Sequence, residues 1–139
     1  MNVRVFLVAI FWANQALTQG FAGLGTDATG FSNPDPGYQI TFPRDYGPHP
    51  DFRIEWWYLT ATLEAEDGRQ FGVQWTLFRS ALRPEEAIGW DSAQIWLGHA
   101  GLTTVDRQFS AERFARGGIG QAGVTADPFS AYIDDWEMA

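Results

Sequence analysis

Three side chains of this sequence belong to the types that move protons, and each is set among apolar residues. Glu55 stands directly before Trp56 and Trp57, His99 lies between Leu97 and Gly101, and Asp135 precedes Trp136. A carboxyl among aromatic rings loses hydration, which favours its neutral form and suits it to general acid chemistry. The other reading of Glu55 is a carboxylate satisfied by Arg53, Arg79 or backbone. Imidazole titrates near neutrality, so His99 suits proton transfer; the alternative is a core histidine with one backbone hydrogen bond. Asp135 and Glu137 share one parity of a strand candidate, and Asp134 takes the other. Like charges on one face raise a pKa, bind a hard cation or stand as solvated edge charges. No metal-ligand spacing accompanies them, and neither a metal nor a cofactor is expected. His49, in a PHPD loop, is read as a brace for that loop.

A second set of residues suits binding rather than proton transfer. Arg79 either holds a polar head group or carboxylate, or stacks on Trp56 as a cation–π pair. Trp56, Trp57, Tyr58, Trp75, Phe78 and Trp96 either line a cavity for a long apolar ligand or fill a solid core.

The elements that position these groups read as strands. Residues 53–63 (RIEWWYLTATL) are dense in aromatic and β-branched residues, which favour a pleated, half-buried surface. Asp67-Gly68 is a hairpin signal, and residues 70–79 (QFGVQWTLFR) alternate apolar and polar side chains behind it. A two-residue loop at Asp67-Gly68 puts Trp56 opposite Arg79, Tyr58 opposite Leu77 and Thr60 opposite Trp75. Glu55, Trp57, Leu59, Ala61, Leu63 and Phe78 then share the other side. A sheet apolar on both faces must be covered on both or curl around something apolar, as a ligand-holding barrel does.

Further along, residues 38–42 form a short strand candidate stopped by Pro43, and residues 43–51 (PRDYGPHPD) an irregular loop. Residues 81–89 fit a helical turn or a loop, and residues 93–105 a third strand. Residues 108–116 fit a strand or one amphipathic turn, residues 117–123 a glycine-rich loop, and residues 129–138 a last strand. Five or six strands fall short of the roughly eight that close a small barrel. A final strand without a return strand reads as the front part of a longer protein.

Composition narrows the function classes. The chain has 139 residues, 17 acidic against 9 basic, a net charge of −8 and no cysteine. That acidic balance argues against nucleic acid as a partner, which calls for a basic face. The absence of cysteine removes disulfides, thiolate zinc sites and thiol catalysis. Residues 1–20 combine Arg4, an apolar run over residues 5–13 (VFLVAIFWA) and a small or polar exit, the pattern of a secretory signal peptide. Nine apolar residues are too few to span a bilayer, which needs about 20. The alternative is a buried N-terminal segment; export would place the protein in a periplasm or outside the cell. Residues 21–37, rich in Gly, Ser, Thr, Asn, Asp and Pro, read as a flexible leader, and residues 38–139 as the folded domain.

The ordered series FPRDYGPHPDFRIEWWY (residues 42–58), QWTLFR (74–79), His99-Ala100 and Asp134-Asp135-Trp136 resembles the AttH-like / carotenoid 1,2-hydratase family of predicted secreted hydrolases. The resemblance implies an all-β, lipocalin-like antiparallel barrel, the first of two tandem domains, with the C-terminal lipocalin-like domain absent from this sequence. One branch of that family hydrates carotenoid double bonds by acid–base chemistry without a redox cofactor; another is encoded beside membrane exporter complexes. The implied partner is an apolar small molecule, isoprenoid or lipid, with a membrane exporter beside it. Three readings stand at this point: a carrier of such a ligand, a hydratase in which a carboxylic acid protonates an alkene, and the remnant of a split gene.

Overall fold

The computed structural model describes residues 28–139. The segment expected to be a signal peptide, residues 1–20, and the first part of the expected leader lie outside the described residues. Seven strands form two antiparallel sheets: β1 (Ile54–Glu64), β2 (Gln70–Ala81), β3 (Gln94–Thr103) and β4 (Gln108–Arg116) in sequential order, then β5 (Ala122–Ala126), β6 (Phe129–Ile133) and β7 (Trp136–Met138). The described residues are all-β and antiparallel, as their alternating apolar pattern and turn residues imply. The described strands form two open sheets rather than one closed barrel. Two short 3-10 turns, Arg44–Tyr46 and Gly89–Asp91, are the only helical pieces among the described residues. No described helix is long and apolar enough to cross a membrane.

Several element boundaries differ from the sequence expectation. Residues 38–42 form no strand; they wrap around Asp45, whose carboxylate accepts from Thr41 N at 2.6 Å and Tyr38 Oη at 2.9 Å. The stretch 129–138 is two strands rather than one, broken by a turn at Asp134, which sits at φ +51°. Aspartate tolerates that left-handed conformation better than most residues. Residues 108–116 settle as a strand because they pair along their whole length with β3.

The consequential difference lies in the β1–β2 hairpin. Its loop holds three residues, 66–68, rather than two: Ala65 N donates to Arg69 O at 2.9 Å, and Gly68 N to Ala65 O at 2.9 Å. Gly68 occupies φ +82°, the left-handed position that such a loop requires. Asp67 completes the turn by accepting from Arg69 N at 3.2 Å and Arg69 Nε at 2.7 Å. The extra residue slips the register by one, so Glu55 faces Arg79 and Trp56 faces Phe78. Because side chains alternate faces, a slip of one moves a whole set to the other side.

One face of the four-stranded sheet packs on the second sheet. Leu77, Trp96, Ala115, Ala122, Ala131 and Ile133 form the buried cluster, flanked by Trp57, Trp75, Val124, Phe129 and Trp136. The sheets approach so closely that a Cβ on Gly98 would lie 2.8 Å from Ile133 Cγ2. The Arg113 guanidinium lies 4.6 Å from the Trp136 ring centroid and closes the contact at the far edge. The outer face carries one transverse row, Trp56, Phe78, Leu97 and Phe114, each directly opposite the next. Trp56 and Phe114 are exposed there.

Candidate functional site

Arg79, near the end of β2, is only 1% exposed, so its charge must be met by protein groups. Directly opposite on β1, Glu55 provides the match. Arg79 Nε donates to Glu55 Oε2 at 2.9 Å, and Nη2 lies 2.7 Å from the same oxygen. Nη2 also donates to the carbonyls of His49 at 3.0 Å and Phe52 at 2.6 Å. Nη1 is buried without a hydrogen-bond partner among the described residues.

His49 holds the other side of the same carboxylate. Its backbone N–H reaches both Glu55 oxygens, at 2.8 and 2.9 Å, and its Nδ1 lies 2.8 Å from Oε1. Its Nε2 faces Asp45 Oδ1 at 3.4 Å. The imidazole thus spans two carboxylates, one on the 3-10 turn and one on β1. Asp45 is the outer anchor: Arg44 Nε lies 2.7 Å from Oδ1, and this hydrogen bond, with those from Thr41, Tyr38 and His49, holds its carboxyl well below the usual carboxylate range. The Asp45 carboxylate in turn pushes the Tyr38 hydroxyl upward.

Aromatic contacts fix the loop that bears His49. Trp57 Nε1 donates to Tyr46 O at 2.9 Å, and the Trp57 ring stacks on Trp96 with centroids 5.9 Å apart and planes 23° apart. Tyr46 stacks on Phe42 at 4.3 Å and meets Phe129 of β6 at 5.7 Å. Beside this assembly opens a cleft of about 590 Å³, with Pro48, Pro50, Arg79, Ile88, Trp96 and Val124 among its walls. That size falls within the range of small-molecule pockets, ~300–1,000 Å³. Among the described residues no group of three or more His, Asp or Glu side chains is placed to hold a metal ion.

Glu55, Trp57, Trp75, Arg79 and Trp96 share the packed face. Trp56, Tyr58 and His99 lie on the opposite, outer face. There His99 packs edge-on against Phe78 and sits 3.5 Å from Glu112. Asp135 occupies the β6–β7 turn, exposed, 3.4 Å from Arg113. Glu55, His99 and Asp135 therefore stand at three separate places, and no single site gathers them. Arg79 meets Glu55 rather than Trp56, a result of the three-residue loop. Sequence reasoning passed over Asp45 and gave His49 no tie to Glu55. The signal was present in the spacing of PRD, HPD and EWW, which the fold draws into one network.

A family model described as AttH-like matches residues 33–139. Among solved structures, the chain is similar to the crystal structure of a candidate AttH protein from Nitrosomonas europaea, at 32% identity with a TM-score of 0.60. The match covers 77% of this chain and 32% of that one, so the present chain spans about a third of that relative's length. No curated protein matches the chain.

Proposed function

Since the chain belongs to the AttH-like family, we propose that it is a binding module for an apolar small molecule, an isoprenoid or other lipid, seated in the cleft beside Arg79 and Trp96. The observation that carries this reading is the cleft itself: about 590 Å³, walled by Trp96, Ile88, Val124 and two prolines, next to a scaffold braced by the buried Arg79–Glu55 ion pair and the hydrogen bonds of His49. A preformed, mostly apolar recess with few polar groups is the usual form of such sites. The hydratase reading ranks below it. A general acid must present its proton to the substrate, whereas both Glu55 oxygens are engaged by His49 and Arg79.

Export, guided by residues 1–20, is part of the same proposal, as is action beside a membrane exporter and a further lipocalin-like domain in the full protein. The test uses lycopene, an acyclic carotene, and reads tryptophan fluorescence. Saturable quenching is expected, weakened about tenfold by Val124→Trp, which fills the cleft from β5; tenfold corresponds to about 1.4 kcal/mol. Equal quenching in both proteins removes the cleft as the site. A product heavier by one water shifts the assignment to the hydratase.

A further inference from the structure

The connection from β2 to β3 carries large apolar side chains that stand exposed. Leu82, Ile88 and Trp90 are 55%, 91% and 72% exposed. Beside Trp90, Arg83 and Arg116 line one small cleft of about 300 Å³, together with Asp91, Ser92 and Ile95. Arg83 Nη2 donates to Asp91 O at 2.7 Å, and Arg116 Nη2 donates to Trp90 O. Consecutive carbonyls of one 3-10 turn therefore hold both guanidiniums, which line the same cleft. The Arg116 guanidinium also lies 5.8 Å from the Trp90 ring centroid.

Neither guanidinium has an ion-pair partner among the described residues, whereas Arg44, Arg69, Arg79 and Arg113 each meet a carboxylate. In a chain with 17 acidic and 9 basic side chains, two unpaired arginines in one recess run against the general charge. Asp91 is the single carboxylate on the cleft walls, which leaves one positive charge in excess. Each guanidinium keeps further N–H donors in a planar fork whose geometry suits a carboxylate or phosphate. Uncovered apolar residues at the rim mark a surface suited to binding.

We propose that this cleft binds an oxyanion carried on an apolar molecule, a carboxylate with a hydrocarbon body. Arg83 and Arg116 take the head, and the body lies across Trp90 and Leu82. The site adjoins the cleft beside Arg79, sharing Ser92 and Gln94 as a common wall, and differs from it in holding Arg83 and Arg116. The molecule's net charge of −8 repels anions at long range, so recognition rests on the short-range pair of guanidiniums.

Titration of the whole chain with sodium decanoate at low salt, followed by calorimetry, tests this. Saturable one-to-one binding is expected, weakened about three- to tenfold by Arg83→Gln or Arg116→Gln, in line with loss of a charged hydrogen bond at an exposed site. Trp90→Ala also weakens it, and Arg107→Gln, in the β3–β4 turn, leaves it unchanged. Circular dichroism confirms that each variant is folded. Val124→Trp leaves decanoate binding intact, which separates this site from the lycopene site. Decanol binding as tightly as decanoate overturns the proposal, as does undiminished affinity in the Arg83→Gln/Arg116→Gln double variant. Inorganic phosphate competing as well as decanoate overturns the apolar half of it.

Discussion

Replacing Glu55 by Gln keeps the shape of the side chain and removes the charge that Arg79 was buried against. Arg79 is 1% exposed and Glu55 13%, so little water is available to take over. Removing one partner of a buried ion pair costs about 3–5 kcal/mol. The carbonyls of His49 and Phe52 still receive Nη2, which places the expected loss near the lower end, about 3 kcal/mol. The new amide also turns a donor toward groups that donate already: Arg79 Nε on one side, or His49 N on the other. Arg79→Met leaves the carboxylate with its His49 donors alone and costs about 2–3 kcal/mol. In the double variant Glu55→Gln/Arg79→Met no charge stays buried, so its cost falls short of the sum by about 2 kcal/mol. Urea unfolding followed by tryptophan fluorescence measures all three; a domain stability of roughly 5–15 kcal/mol leaves room for them. Additivity within about 0.5 kcal/mol refutes the reasoning, because uncoupled residues behave that way.

Two further outcomes follow from the packing and from the charge network. Gly98→Ala places a methyl 2.8 Å from Ile133 Cγ2, with the Trp136 and Arg113 side chains also in contact; a loss of about 1–3 kcal/mol is expected by thermal melting, and an unchanged midpoint contradicts the close approach of the sheets. Asp45 has a folded pKa below its unfolded one, so its contribution is complete above the ordinary carboxylate value, ~3.9, and is lost as pH falls through the lowered one. Stability measured from pH 5 down to pH 2 is expected to decline less steeply in Asp45→Asn than in the parent chain, and equal slopes refute that assignment.

The strands were legible because their cause is local. Aromatic and β-branched residues in β1, and the alternation of Phe71, Val73, Trp75 and Leu77 in β2, specify pleated structure wherever they occur. The all-β class followed from that pattern, and the AttH-like family from the resemblance of the ordered PRD, HPD and EWW series to that family. The face on which each residue lies was not legible, since it hangs on whether Glu66 belongs to the strand or to the loop. Asp67-Gly68 fits a two-residue loop as readily as the last two places of a three-residue one. The split of residues 129–138 was hidden for a similar reason: two aspartates in a strand pattern and two aspartates in a turn are the same letters. The Asp45–His49–Glu55 network escaped because histidine and aspartate in a proline-rich loop suggest turn chemistry, and their partner arrives from a strand.

Nine paired positions lie between the turn at residues 66–68 and the Glu55–Arg79 pair of the hairpin, a span of about 30 Å at roughly 3.3 Å per residue. The two ends nevertheless check one another during folding. A hairpin zipped one residue out of step would strand Arg79 on the wrong side, with neither Glu55 nor the His49 and Phe52 carbonyls in reach. The ion network therefore works as a proofreading device for strand pairing, rejecting a mispairing that the apolar residues on both faces would tolerate. Length changes in a surface turn, usually harmless, should here be among the least tolerated alterations in the chain.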